Sequence, residues 1–407
     1  MQTNLVEEFR NTPQGEEAED ILRKCVHCGF CTATCPTYQL LGDELDGPRG
    51  RIYQIKQVLE GTEPTNTTRL HLDRCLTCRS CETTCPSGVE YGKLLDIGRL
   101  IVEQKTRRPA LESFTRLMLD RFLGQPQLAR VSFTLARLVR PVLPSSIKAK
   151  ITPTQKNFEV VTGSHDRRVL MLDGCVQPTL TPRTNQAAKL ILDRLGIETV
   201  TVAAAGCCGS LSQHLSFANR ARQQIRRNID AWWPHIENGV EALIVTASGC
   251  QLMVKDYGHV MKDDSAYAVR AQRVSELVRD LCEFVSDDIE QVNIKPSVSR
   301  IAFHAPCTYQ HGLKLTGQVE RLLQMLGYQL TMVTDAHLCC GSAGTYSVLQ
   351  AELSGQLLRN KLGNLMAGDP EVIVTANVGC QTYLMTRSGV PVKHWAELVA
   401  EDLQVAV

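Results

Sequence analysis

Two runs of cysteine in this chain share one spacing. Cys25, Cys28, Cys31 and Cys35 are followed by Pro36; fifty positions on, Cys75, Cys78, Cys81 and Cys85 are followed by Pro86. Both runs read C-x2-C-x2-C-x3-C-P. Three thiolates set two residues apart can curl around one iron–sulfur cube, while the fourth points away to a second cube. The proline fixes φ and turns the chain off the site. On this crossover rule Cys25, Cys28, Cys31 and Cys85 hold one [4Fe–4S] cluster, and Cys35, Cys75, Cys78 and Cys81 hold the other. The chemistry of such a pair is one-electron transfer. Structural zinc also takes C-x2-C pairs, but it needs four ligands per ion as two separated pairs. Two complete four-cysteine runs, each closed by Cys-Pro, do not have that form.

A second set of cysteines is itself duplicated. Cys175, Cys207, Cys208 and Cys250 are followed by Cys307, Cys339, Cys340 and Cys380. Cys175 to Cys207 and Cys307 to Cys339 are both 32 positions; Cys208 to Cys250 is 42 and Cys340 to Cys380 is 40. The double cysteines lie in Gly206-Cys207-Cys208-Gly209-Ser210 and Leu338-Cys339-Cys340-Gly341-Ser342. Adjacent cysteines bond each other poorly, but both can ligate one cluster, and the glycine beside them lets backbone come close. A free cysteine is often only a small buried residue. Eight in register across a duplication read instead as additional metal or redox sites. Cys282, among Leu277, Val278, Leu281, Phe284 and Val285, reads as core. His214, His304, His311 and His337 gather near these loops; each reads more simply as a packed or hydrogen-bonded side chain than as a ligand or proton relay. Trp232-Trp233 is expected to cap a hydrophobic surface.

The elements that must position these residues differ along the chain. Between the two front runs, Gly47-Pro48-Arg49-Gly50-Arg51 leads into Ile52, Ile55, Val58 and Leu59, a helical spacing ended by Gly61. The expected module over 1–98 is therefore all-α with two clusters. Residues 99–165 read as a basic helical connector. Within 99–150, eleven Lys or Arg face three acids, and Pro126, Pro141 and Pro144 cut an apolar stripe into short helices. Such a stripe can pack on a neighbouring domain, dock a partner subunit, or lie on an anionic membrane surface. From 166 the chain alternates strand and helix. Strands are expected at Val169–Leu172, Thr199–Val202, Ala242–Thr246, Arg300–Phe303 and Val372–Thr375. The fold class is α plus α/β, with duplicated Cys-Cys-Gly domains over 166–290 and 291–407 built on mainly parallel sheets. The cysteines fall at strand ends, where open α/β sheets place their sites.

Composition narrows the function further. The net charge is +1, and no helix-turn-helix pattern occurs, so nucleic acid is not an expected partner. Seventeen cysteines in 407 residues with this spacing indicate metal in a reducing compartment rather than disulfides. The first twenty residues are polar and acidic, unlike a signal peptide, and no run of roughly 18 apolar residues is present to span a bilayer. No G-x-G-x-x-G follows a strand and no phosphate loop appears, so no flavin or nicotinamide site is expected. Clusters do not take hydride from an alcohol carbon. Organic redox chemistry would therefore need a flavin-bearing partner.

The order of these features resembles a family of Cys-Cys-Gly domain iron–sulfur oxidoreductase subunits. Its members serve glycolate oxidase, anaerobic glycerol-3-phosphate dehydrogenase, lactate utilisation and heterodisulfide reductase. The resemblance covers nearly the whole chain. Gly47-Pro48-Arg49-Gly50-Arg51 and the Gly-Cys-Cys-Gly-Ser loop are most similar to the glycolate oxidase iron–sulfur subunits of bacteria. The resemblance implies FAD-binding partner subunits that oxidise glycolate to glyoxylate, with D-lactate as a further substrate. It implies electrons passing through this chain to a membrane acceptor, quinone, on the cytoplasmic side of the inner membrane, with no substrate oxidation by this chain alone. It also implies the eight front cysteines as cluster ligands. The same role in a lactate or glycerol-3-phosphate complex is one alternative; a self-contained disulfide reductase is an alternative of another class. In the heterodisulfide reductase relatives a fifth cysteine closes each repeat. Here Met253 and Tyr383 stand at those positions, which puts a non-cubane cluster pair and disulfide reduction in doubt.

Overall fold

The computed structural model describes residues 1–139, 157–160 and 163–405. The front of the chain is helical, as expected. The helix Pro13–Lys24 starts on a proline, and the side chain of Thr12 caps it by accepting from Gly15 N. Its Ala18, Ile21 and Leu22 pack with Ile52, Ile55 and Leu59 of the helix Pro48–Leu59 and with Leu94 and Leu95 of the helix Tyr91–Lys105. Gly50 is required where the second of these helices begins. A Cβ there would lie 2.1 Å from the carbonyl oxygen of Glu44. That close approach seats Arg51 of the same turn against the buried Asp46.

The connector read over 99–165 starts inside the helix Tyr91–Lys105, which runs across its expected boundary, and continues as a hairpin of two helices, Ala110–Leu123 and Pro126–Val139. Pro126 starts the second helix rather than merely ending the first; Pro141 and Pro144 lie outside the described residues. Part of its basic charge is not solvated. Arg108 pairs with Asp73, Glu103 and Glu112, and Arg116 with Asp73 and Glu112. Asp120 is 1% exposed and bridges to Arg220 at 3.0 Å and Ser212 at 2.6 Å. The outer face leaves Leu111, Phe114, Phe122, Val131, Leu135 and Leu138 exposed. No helix among the described residues is long and apolar enough to cross a membrane.

The remainder is two four-stranded parallel sheets. The first holds β1 (Arg167–Met171), β2 (Ile197–Thr201), β3 (Leu243–Val245) and β4 (Val278–Asp280), in the order β2-β1-β3-β4. The second holds β5 (Arg300–His304), β6 (Gln329–Leu330), β7 (Val372–Thr375) and β8 (Val392–His394), in the order β6-β5-β7-β8. Every pairing is parallel. Strands β4, β6 and β8 escape the sequence reading because they are two or three residues long and include Arg279, Gln329 and Lys393. Strand order reverses between β1 and β3, and again between β5 and β7. That crevice is where an open α/β sheet accepts ligands.

The two sheets share one core. Val169, Ile191 and Leu192 join Ile301, Leu323, Trp395 and Leu398 in a single buried cluster that also holds Cys282. At the seam, Ser248 Oγ lies 2.7 Å from Thr308 Oγ1, and Asn377 Nδ2 donates to Ser248 Oγ at 2.9 Å. Trp232 is buried in the first sheet's own core rather than capping a surface. Its neighbour Trp233 is half-buried under Arg270.

Candidate iron–sulfur centres

The two front runs adopt one backbone twice. The second residue after the first cysteine has positive φ in both, His27 at 57° and Thr77 at 54°. The fourth has it as well, Gly29 at 86° and Arg79 at 58°. Such left-handed turns point successive N–H groups inward, as anion-binding nests do. Accordingly Thr77 N donates to Cys75 Sγ at 3.4 Å. Each fourth cysteine leaves its own run. Cys35 precedes the helix Pro36–Leu41, and Cys85 follows the helix Ser80–Thr84.

Cys85 joins Cys25, Cys28 and Cys31 around one surface concavity, whose wall Cys81 also reaches. Cys28 is exposed, and Cys31 and Cys85 are half-buried. Burial pushes the Cys31 thiol up to about 11, with Cys25 and Cys85 adding to the rise. The other four are deeper: Cys35, Cys75, Cys78 and Cys81 are each below 10% exposed. Burial pushes the Cys81 thiol well up, and Cys78, Cys75 and Cys35 push the same way. We call these the outer and inner sites.

Burial and neighbouring sulfurs push the Cys31, Cys78 and Cys81 thiols up; bound iron would supply positive charge beside them. Orphaned donors point to the same conclusion. The hydroxyls of Tyr346 and Ser80 are buried without a hydrogen-bond partner among the described residues, and that of Tyr91 is directed at Cys75. Both tyrosines feel the charge of Cys75, and Ser80 lies between Cys78 and Cys81. Sulfur acceptors of a bound cluster would satisfy these groups. The residues present therefore fit iron–sulfur ligation, and none of the seventeen cysteines is in a disulfide.

Each repeat also gathers its four cysteines. In the first, hydrogen bonds from Cys175 and Cys208 hold Cys207 low, while Cys208 reaches Cys250 in turn. In the second, Cys307 Sγ and Cys339 Sγ are 3.7 Å apart, and Cys340 contacts Cys339 and Cys380. Gly209 and Gly341 follow the double cysteines with φ of 93° and 88°. At Gly341 a Cβ would meet the Ser354 carbonyl at 2.7 Å, so no other residue fits. The second repeat meets the inner site directly. Leu76 and Cys78 pack with Cys339, Tyr346, Leu353 and Leu357.

The histidines divide. His304, with Cys340 and Cys380, places its ligating atom within 4.8 Å of both sulfurs. Its Nδ1 lies 2.9 Å from Thr375 Oγ1, and burial lowers it to about 3, so it is a neutral imidazole. His311 is committed to Thr83 and to the carbonyl of His337. His214 is exposed and faces Asp96 at 3.9 Å. The sequence reading missed the polar and charged residues behind the sites, chiefly Arg51, Thr37, Asp46 and Lys361. Arg51 stood in the quoted glycine–proline motif, but its partners Thr37 and His71 lie 14 and 20 positions away. Met253 is buried and Tyr383 Oη binds Ser354 at 2.5 Å, so neither stands free as a ligand.

Comparison with known proteins agrees with this geometry. A 4Fe-4S dicluster domain family matches residues 21–89, and a cysteine-rich domain family matches 169–255 and again 301–385. The chain is 53% identical over 406 residues to the glycolate oxidase iron-sulfur subunit of Escherichia coli (strain K12), covering 99% of this chain and 100% of that one. It is 29% identical to the probable glycolate oxidase iron-sulfur subunit of Bacillus subtilis (strain 168), over 94% of each chain. It is 26% identical to lactate utilization protein A of an Exiguobacterium species, over 57% of this chain and 96% of that one. The chain belongs to the family of glycolate oxidase iron–sulfur subunits, and it binds iron–sulfur clusters.

Proposed function

We propose that this chain is the electron-carrying subunit of a complex that oxidises glycolate, with D-lactate as a further substrate. On this reading Cys25, Cys28, Cys31 and Cys85 ligate one [4Fe–4S] cluster, and Cys35, Cys75, Cys78 and Cys81 a second. Bound clusters supply one-electron transfer between a partner's FAD and a membrane quinone. The chain's own residues gather the thiolates, exclude water from the inner site and present the outer site to a partner. What supports the reading is that Cys85 lines one concavity with Cys25, Cys28 and Cys31, while Cys35 lies close enough to Cys78 and Cys81 to push their thiols up.

Val26 and Phe30, 67% and 61% exposed beside the outer site, support that site as the face toward the flavin subunit. The connector's exposed apolar face, with exposed Arg107, Arg121 and Arg130, supports docking on an anionic, cytoplasmic membrane surface. The division of labour then follows residues 1–98, 99–165, 166–290 and 291–407.

The test is the complex purified anaerobically. Cys25→Ala and Cys75→Ala should each remove one cluster by iron count and block quinone reduction, while glycolate still reduces the partner's flavin. Either variant with full quinone-linked turnover overturns the reading. So does zinc in place of iron.

A further inference from the structure

Behind the inner site lies a charged group that ligation does not require. Arg51 is 1% exposed. Its Nε donates to the carbonyl of His71 at 2.7 Å, its Nη2 to Asp46 Oδ1 at 3.2 Å, and its Nη1 to Thr37 Oγ1 at 3.2 Å. Thr37 Oγ1 in turn lies 3.3 Å from Cys35 Sγ. A second guanidinium, Arg99, is 9% exposed and donates to the carbonyl of Cys75 at 2.8 Å. Arg74 reaches the other oxygen of Asp46 at 2.8 Å. Arg51 and the partly exposed Arg74 thus share the carboxylate of Asp46, while Arg99 faces Asp73 as well as the Cys75 carbonyl. The cations at the outer site are less buried: the half-buried Met1 ammonium donates to the Cys25 carbonyl at 2.8 Å, and no guanidinium among the described residues is sealed behind it as Arg51 is. Arg49, which lines its concavity, is 35% exposed and paired with Glu44 at 2.6 Å.

A buried guanidinium is costly unless something nearby is negative, and arginine does not lose its proton. Asp46 is shared between Arg51 and Arg74, and the sulfurs of Cys75 and Cys35 are the other counterparts that the buried Arg51 faces. A cluster held by those thiolates would gain one negative charge on accepting an electron, in surroundings where burial alone would oppose it. A fixed cation in the same low dielectric favours the reduced state.

Resting on the proposed cluster at the inner site, we propose that Arg51 sets that site's reduction potential, acting through Thr37 and Cys35. It is a positioning residue for charge. Its effect is to hold electrons at the inner site, against the second repeat, rather than at the solvent-facing outer site.

The test is an EPR-monitored redox titration of the anaerobic complex, with Cys25→Ala and Cys75→Ala used to assign the two signals. Arg51→Met should lower the inner potential by a tenfold change in the reduction equilibrium, about 59 mV for one electron, and leave the outer signal unmoved. Arg51→Lys, which retains the charge, should retain the potential. An inner signal of full intensity that does not move in Arg51→Met overturns the proposal, as does an equal movement of both signals. If Arg51→Met loses its cluster, Thr37→Val serves instead: a fall of the inner potential supports the proposal and no fall overturns it. A wild-type complex without a second cluster signal overturns the two-cluster reading itself, which is a different result from an insensitive inner potential.

Discussion

The two cysteine-rich repeats share a scaffold and differ in what surrounds their cysteines. Strand order is the same, and the Cys-Cys-Gly loops carry the same left-handed glycine. The 132 positions from Cys175 to Cys307 align Leu172 with His304 and Ile229 with Lys361; the 130 from Cys250 to Cys380 align Met253 with Tyr383. In the first repeat Leu172, Ile229 and Met253 belong to one apolar cluster with Cys208. In the second all three are polar. His304 joins Cys340 and Cys380, Lys361 Nζ donates to the Asp335 carbonyl at 2.7 Å, and Tyr383 binds Ser354. The polar repeat is the one whose Cys339 packs against Cys78 of the inner site. Cysteine positions follow strand ends, which a duplication copies; the groups behind them follow location, which it does not.

The sharpest way to break this comparison is functional. Cys340→Ser should lower quinone-linked turnover of the complex by at least about tenfold, the scale of a disturbed metal environment, whereas Cys208→Ser should leave it nearly unchanged. Equal losses would mean that adjacency to the inner site does not distinguish the repeats. On stability, Ile229→Ala should cost the first repeat about 3–4 kcal/mol by denaturant unfolding, because a fully buried side chain leaves a cavity.

The seam supplies a pH test. His394 Nε2 donates to the Thr246 carbonyl at 2.9 Å and its Nδ1 accepts from Ala396 N, so both nitrogens are committed to the neutral ring. Burial lowers it to about 4. The unfolded chain takes up this proton below about 6.5 and the folded chain does not until about 4, so the unfolded state binds more protons within that window. Stability is therefore full above pH 6.5 and is lost as pH falls, by about 3 kcal/mol at pH 4. Urea midpoints at pH 7 and pH 4.5 should converge in His394→Gln relative to the wild type. In the first repeat the aligned residue is Asp280, which burial pushes up to about 7. Its contribution has the opposite sign, present below its unfolded value near 3.8 and lost as pH rises through 7. The smallest effect expected is for Lys361→Met. It removes the Nζ donor from the carbonyls of Asp335 and Ala336, which keep Leu338 N and Gln310 Nε2 as donors, at about 1 kcal/mol.

The chemistry was legible in the sequence where it is local. The spacing singles out the eight front cysteines as the proposed ligands, since each run sets three of them within seven residues of chain. The repeat was legible because strand ends recur at a constant interval. The strands β4, β6 and β8 were not, since two or three residues with a charged or polar member carry no periodic signal. Nor was the choice among histidines. His304 and His337 are each within three residues of a cysteine in sequence, yet His304 closes on Cys340 and Cys380 while His337 lends its carbonyl to His311.

What the sequence determined by itself was the cysteine inventory and its two matching spacings, and the duplicated α/β plan, because these depend on neighbours a few residues apart or on intervals between strand ends. What only the tertiary structure decided was which sulfurs are buried, which repeat meets them and which charges stand behind them. Arg51 reaches His71, and Cys78 reaches Cys339, only after helices and sheets have packed. Contacts between residues far apart in the chain are chosen by burial of whole faces, and no local pattern encodes them.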